Sequence, residues 1–121
     1  MLTEDQKLGK TGEELARKFY IQQGFIIREV NWRTGHLEVD LIAENNDYIV
    51  FCEVKTRSSA YFGKPETFVV GDKQRKIIRA ANLYINCKKI SKEVRLDIIA
   101  ITICGQKHIL QFFPDAFKPK W

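Results

Sequence analysis

Two strand-like segments on either side of Asn45-Asn46-Asp47 constrain this chain more than any other feature. In His36–Glu44, Leu37, Val39, Leu41 and Ala43 alternate with Glu38, Asp40, Ile42 and Glu44, and Tyr48–Arg57 reads YIVFCEVKTR. The Asn-Asn-Asp between them is a turn signal. With Asn46-Asp47 as a two-residue centre, counting outward sets Glu44 opposite Ile49, Ile42 opposite Phe51, Asp40 opposite Glu53 and Glu38 opposite Lys55. Opposed side chains stand about 5 Å apart and share a face with their i+2 neighbours. In this register the hairpin gathers Glu38, Asp40, Glu53 and Lys55 on one face; a slip of one residue would scatter them.

Opposed carboxylates repel, and covering them costs desolvation free energy. A divalent cation relieves both, and a few carboxylates with water suit Mg²⁺ or Mn²⁺. Asp40 and Glu53 are the expected metal ligands, with the Val54 carbonyl as a further oxygen. Such a cation acidifies a bound water and stabilises charge on a phosphoryl oxygen, and Lys55 is placed to orient that water or steady the phosphate. The competing reading is a solvated, salt-bridged strand face. Glu13 is a fourth acidic candidate, on a helical stripe with Gly9, Ala16 and Tyr20, where a carboxylate beside two small residues signals close approach. Glu14, with Arg17 and Lys18 at i+3 and i+4, reads as a surface ion-pair residue.

The remaining segments fill out an α/β domain. A helix is expected over Thr3–Gln23, ended by Gly24, and a strand over Phe25–Asn31. Residues Ser58–Gly71 read as a long loop, and Asp72 as the N-cap of a helix running to Lys89. Strands are expected over Val94–Cys104 and His108–Phe113, joined by a turn at Gly105-Gln106. The order α-β-β-β-α-β-β predicts one mixed sheet flanked by helices. The 121 residues suit a single domain, 1–121. With 45% hydrophobic and 29% charged residues the chain reads as globular, and a net charge of +5 permits a polyanionic partner. Three cysteines without C-x-x-C spacing argue against a disulfide framework or a thiolate zinc site. Cys52 and Cys104, inside apolar runs, are expected to be buried. The start MLTEDQKLGK does not read as a signal peptide, and no apolar run reaches the roughly 20 residues of a membrane span. A cytoplasmic protein with no membrane partner is expected.

At the hairpin residues the sequence resembles the PD-(D/E)XK nuclease superfamily, with its restriction-endonuclease-like fold. The motif is an acidic residue, a spacer and then (D/E)-x-K; here it reads Asp40, twelve residues, then Glu53-Val54-Lys55. The arrangement looks like that of Holliday-junction resolvases. The chain also resembles the YraN-like family of small bacterial proteins along nearly its whole length. The likeness is carried by Gly9-x-x-Gly12-Glu13-x-x-Ala16, Asn31-x-Arg33, Glu38-Val39-Asp40-Leu41-Ile42, Phe51–Arg57, Phe62-Gly63, Pro65, Lys73 and Arg95-x-Asp97. Leu37 stands where that family has glycine.

The resemblance implies a metal-dependent nuclease hydrolysing phosphodiester bonds in DNA, including branched or flapped DNA, with Asp40, Glu53, Lys55 and Glu13 as catalytic residues. The alternative is a nucleic-acid-binding module of the same fold with little or no cleavage of its own. Arg33, Arg57, Lys73 and Lys76 are expected at the phosphate backbone, Arg57 and Lys73 on the strength of the resemblance. Arg75 and Arg79 stay open between phosphate contact and a solvated helix face. Trp32, Tyr61, Phe62 and Trp121 are available for base stacking or for packing. His36 and His108 read as surface residues. A homodimer is compatible with paired cuts.

Overall fold

Thr3 opens the first helix with a capping box. Its hydroxyl accepts the Gln6 N–H while the Gln6 side chain accepts the Thr3 N–H, which satisfies two donors that a helix start leaves open. Helix α1 (Glu4–Gln22) follows, and Gly24, at φ +90°, turns the chain into β1 (Ile26–Thr34). The computed structural model describes residues 1–58 and 71–118. Its remaining elements are β2 (Leu37–Glu44), β3 (Tyr48–Ser58), α2 (Gly71–Lys88), β4 (Glu93–Cys104) and β5 (Lys107–Phe113). The sheet order is β1-β2-β3-β4-β5. Among the described strands only β3 and β4 run parallel, and α2 lies in the connection between them; the other neighbours are antiparallel. This is the expected mixed sheet in the order α-β-β-β-α-β-β.

The helices lie on opposite faces. Ala16 and Tyr20 of α1 pack on Leu41, Val50, Cys52 and Ile99. Ile77, Ala81 and Tyr84 of α2 pack on Ile42, Phe51 and Leu96. Strands buried on both faces read as long apolar runs, which is the pattern of β3 and β4.

Several local expectations need correction. β1 does not stop at Asn31 but continues to Thr34, so Trp32 belongs to the sheet and packs edge-on against Tyr84, with centroids 5.1 Å apart. β2 begins at Leu37, because Thr34 pairs with Leu37 and leaves Gly35-His36 as the turn. Asp72 does not cap α2. It lies inside the first turn, where its charge favours the helix dipole and pairs with Arg75. Cys52 is buried as expected, but Cys104 is exposed, being the last residue of β4 beside the Gly105 turn. The loop expected at 58–71 lies outside the described residues, except for Ser58, which ends β3, and Gly71, which begins α2. Tyr61, Phe62 and Trp121 also lie outside them. Among the described residues no helix is long and apolar enough to cross a membrane.

A buried polar network ties β4 to α1 and to the segment that follows β5. Asp97 is fully buried. Its carboxylate accepts the Tyr20 hydroxyl at 2.7 Å, the Arg95 guanidinium at 2.9–3.2 Å and the Asp115 N–H at 2.9 Å. Arg95 in turn lies over the rings of Phe25, Tyr48 and Phe112. Removing one partner of a buried pair strands the other charge. Asp97→Ala is therefore expected to lower the urea-unfolding free energy by about 3–5 kcal/mol. Tyr20→Phe, which deletes one hydrogen bond, is expected to cost about 1 kcal/mol.

Candidate functional site

The sequence count placed β2 against β3 in the register found: Glu44 pairs with Ile49 and Ile42 with Phe51. The ladder ends at Leu41–Cys52, however. Asp40–Glu53 and Glu38–Lys55, expected as the next two opposed pairs, are not ladder pairs. In their place the Asp40 Oδ2 accepts the Val54 N–H at 2.8 Å. The reason is a break in β2's alternation. Val39 and Ile42 pack on the α2 side while Leu41 and Ala43 pack on the α1 side; strict period two would put Val39 with Leu41. Asp40 sits at the break, and its side chain takes over where backbone pairing stops.

The kink has a counterpart on β1. Between the pairs Val30–Leu41 and Trp32–Val39, Asn31 comes level with Asp40. Asn31 has φ +52° inside a strand, whereas the other positive-φ residues among the described ones stand at turns and helix ends. Asparagine tolerates that backbone better than most residues. Asn31 is the site residue that hydrophobic patterning missed. Only the Asn31-x-Arg33 resemblance pointed to it.

Asp40 and Glu53 are brought together as expected. Glu53 is 4% exposed, so its charge needs a partner, and Lys73 of α2 supplies one as a close ion pair. Burial first, and then the Glu53 carboxylate beside it, push the Asp40 carboxyl up to about 7, against the pull of the Val54 N–H and Lys73. Burial pulls the Lys73 ammonium down, but Glu53, Asp40 and Glu38 together hold its pKa above the ordinary lysine value. Lys73, expected at a phosphate, is thus the cation of the carboxylate pair.

On the α1 side a cleft of about 490 Å³ is lined by Gly9, Glu13, Asn31, Val54, Lys55 and Thr56, among others. Glu13 accepts the Asn31 Nδ2–H there at 3.4 Å. Burial raises the Glu13 carboxyl, Asn31 lowers it, and Asp40 and Glu38 raise it further. Glu13, Asp40 and Glu38 therefore share one electrostatic field, while Glu14 is exposed. Gly12, not Gly9, is the close-approach residue: a Cβ on Gly12 would lie 1.7 Å from the Thr56 Oγ1 and 2.9 Å from its Cβ. That contact seats α1 on β3 immediately beside Val54 and Lys55.

The expected nucleic-acid residues are dispersed. Arg33 is exposed and 3.5 Å from Glu38, its ladder partner. Lys76 is exposed and lines a second hollow of about 350 Å³ with His36, Glu38 and Lys73. Arg57 turns to β4, where its Nε donates to the Thr102 Oγ1 at 3.0 Å.

Among the described residues no three His, Cys, Asp or Glu side chains are grouped to hold a metal ion by themselves. The donor set still fits Mg²⁺ or Mn²⁺, since Mg²⁺ commonly takes one or two carboxylates and completes its shell with water and phosphate oxygens. The Asp40 and Glu53 side chains lie within hydrogen-bonding reach of each other. The N–H and C=O of one strand residue leave on the same side, so the Val54 carbonyl leaves toward Asp40.

A family model described as "Uncharacterised protein family UPF0102" matches residues 12–101. A UPF0102 protein of Flavobacterium psychrophilum is 38% identical over 116 residues, covering 96% of this chain and 98% of the relative. One of Thermodesulfovibrio yellowstonii is 43% identical over 107 residues, covering 88% and 96%. One of Dictyoglomus turgidum is 35% identical over 116 residues, covering 93% and 98%.

Two stability measurements check this geometry. A folded Asp40 pKa of about 7 lies above the ordinary aspartate value of about 3.9. The folded state therefore binds the proton more tightly, and stability in the presence of chelator falls as pH rises from about 4 to about 7. Asp40→Asn keeps an acceptor for Val54 and is expected to flatten that fall and to melt above the wild type at pH 8. Gly12→Ala gains about 1 kcal/mol of helix propensity but overpacks against Thr56 at a cost of about 1–3 kcal/mol. A net loss is expected there. Gly9→Ala, where nothing lies within 4 Å of the new Cβ, is expected to raise the melting temperature.

Proposed function

This chain belongs to the uncharacterised family UPF0102 (YraN-like), part of the restriction-endonuclease-like superfamily, and we propose that it is a metal-dependent nuclease hydrolysing phosphodiester bonds in DNA. Branched or flapped DNA is within that proposal, as is a cytoplasmic setting. The observation that carries it is the meeting of Asp40 and Glu53 where the β2–β3 ladder ends. A buried carboxyl pushed up by a second carboxylate beside it is an arrangement a divalent cation stabilises.

Asp40, Glu53 and the Val54 carbonyl would hold Mg²⁺ or Mn²⁺. When bound, that ion supplies acidified water and charge stabilisation at a phosphoryl oxygen. The chain's own groups do the rest. The Val54 N–H fixes the orientation of the Asp40 carboxylate, and Lys73 holds the Glu53 side chain in an ion pair. Lys55, on the wall of the cleft, offers its ammonium to charge developing on the phosphate. Glu13, held through Oε1 by Asn31, leaves its other oxygen to accept a hydrogen bond or a proton from water in the cleft. Arg33, Arg57 and Lys76 lie toward the same end of the sheet as further cations for the backbone.

A second reading has its own support. Lys73 already neutralises Glu53, which suits a nucleic-acid-binding module with little or no cleavage. The deciding experiment is a cleavage assay on linear, single-stranded, flapped and four-way DNA with Mg²⁺ or Mn²⁺. Under the nuclease reading Lys55→Ala lowers the rate by about 10²–10³-fold and largely spares binding. Salt-sensitive binding without cutting in either metal would leave only the second reading.

A further inference from the structure

A third hollow, of about 380 Å³, lies between α2 and Lys118. It shares no lining residue with the two beside the carboxylates. Among the described residues its charged lining is of one sign: Arg75, Arg79 and Lys118 line it together with Gln74, Asn82 and Ile78, and no described carboxylate does. Both hollows at the acidic site, by contrast, contain carboxylates.

Arg75 and Arg79 are four residues apart on one helix, so they face the same side and repel. Lys118 adds a third cation from the C-terminal segment. Arg75 pairs with Asp72, and Lys118 lies 3.3 Å from Asp115, but both pairs are solvent-exposed. Exposed pairs of this kind are weak and exchange readily for a stronger anion. Arginine presents a planar fork that matches phosphate oxygens.

We propose that this groove binds the phosphodiester backbone of a nucleic-acid strand, apart from the carboxylate site. The proposal rests on the nucleic-acid partner in the reading above but not on cleavage. Two features favour a nucleic-acid strand over a small anion or an acidic peptide. Gln74 and Asn82 carry amides that both donate and accept, beside the half-buried Ile78, which suits a sugar or base edge next to the phosphates. The exposed Lys76 lines a hollow on the other side of α2's first turns, so one helix offers cations to a long polyanion at two places.

The test is fluorescence anisotropy of the full chain with single-stranded and duplex oligonucleotides of equal length, over a salt series. The variant is Arg79→Ala/Lys118→Ala, with Lys107→Ala on β5 as a control. Both groove positions are exposed, so the melting temperature is expected to hold. The slope of log K against log salt is expected to flatten by about 1.8 on duplex or 1.4 on single strands, for two lost contacts. The control slope stays as in the wild type. A change of this size in one arm alone names the strand form that occupies the groove, and changes of about 1.8 and 1.4 in the two arms assign contact to the backbone alone. An unchanged slope overturns the proposal, as does equal salt-sensitive binding of poly-glutamate. If the slope falls while the wild type cuts no DNA, the groove stands and the nuclease reading fails. If DNA is cut and the slope is unchanged, the groove alone fails.

Discussion

The hydrogen bond from the Val54 N–H to the Asp40 carboxylate sits where two strands stop pairing. Up to Leu41–Cys52 the backbone groups of β2 and β3 satisfy one another. One residue further, a side chain takes the place of a backbone carbonyl. That substitution ends β2's backbone pairing with β3 beyond Cys52, while Glu53, Val54 and Lys55 stay paired with Ile98, Ile99 and Ala100 of β4. The left-handed Asn31 on β1 and the broken alternation of β2 occur at the same level. The irregularity therefore spans two strands.

Such an end holds its geometry only if the frame behind it is stiff. β3 and β4 form the longest ladder of the sheet, and Asp97, opposite Cys52, anchors it through Arg95, Tyr20 and the Asp115 N–H. Gly12 brings α1 against Thr56, fixing the far wall of the cleft one residue beyond Lys55. Lys73 reaches Glu53 from α2. The acidic pair is thus held from both faces of the sheet, and what it costs in repulsion is offset by an ammonium and a backbone N–H.

Much of this was legible in the sequence because it follows from period and turn chemistry. The Asn45-Asn46-Asp47 turn set the β2–β3 register, and helical spacing with its end signals located α1 and α2. Counting failed at Asp40, since period two assumes that alternation continues and a kink is invisible to it. The extent of β1 was missed for the same reason: Asn31 reads as a strand end when its neighbours' pairing is unknown. Cys104 was misread because apolar context does not reveal that a strand has reached its turn. The pairing of Glu53 with Lys73 joins residues from different elements, so no local pattern could supply it. The small-residue stripe on α1 did signal close approach, but only the packing shows that Gly12 makes it.

We propose that Asp40 and Glu53 hold a divalent cation at the end of the β2–β3 ladder. Anomalous diffraction from crystals grown with Mn²⁺ tests it most directly. The expected result is an anomalous peak within ligand distance of both carboxylates, lost in Asp40→Asn crystals. The contradicting result is no peak there at saturating Mn²⁺, with Lys73 still paired to Glu53.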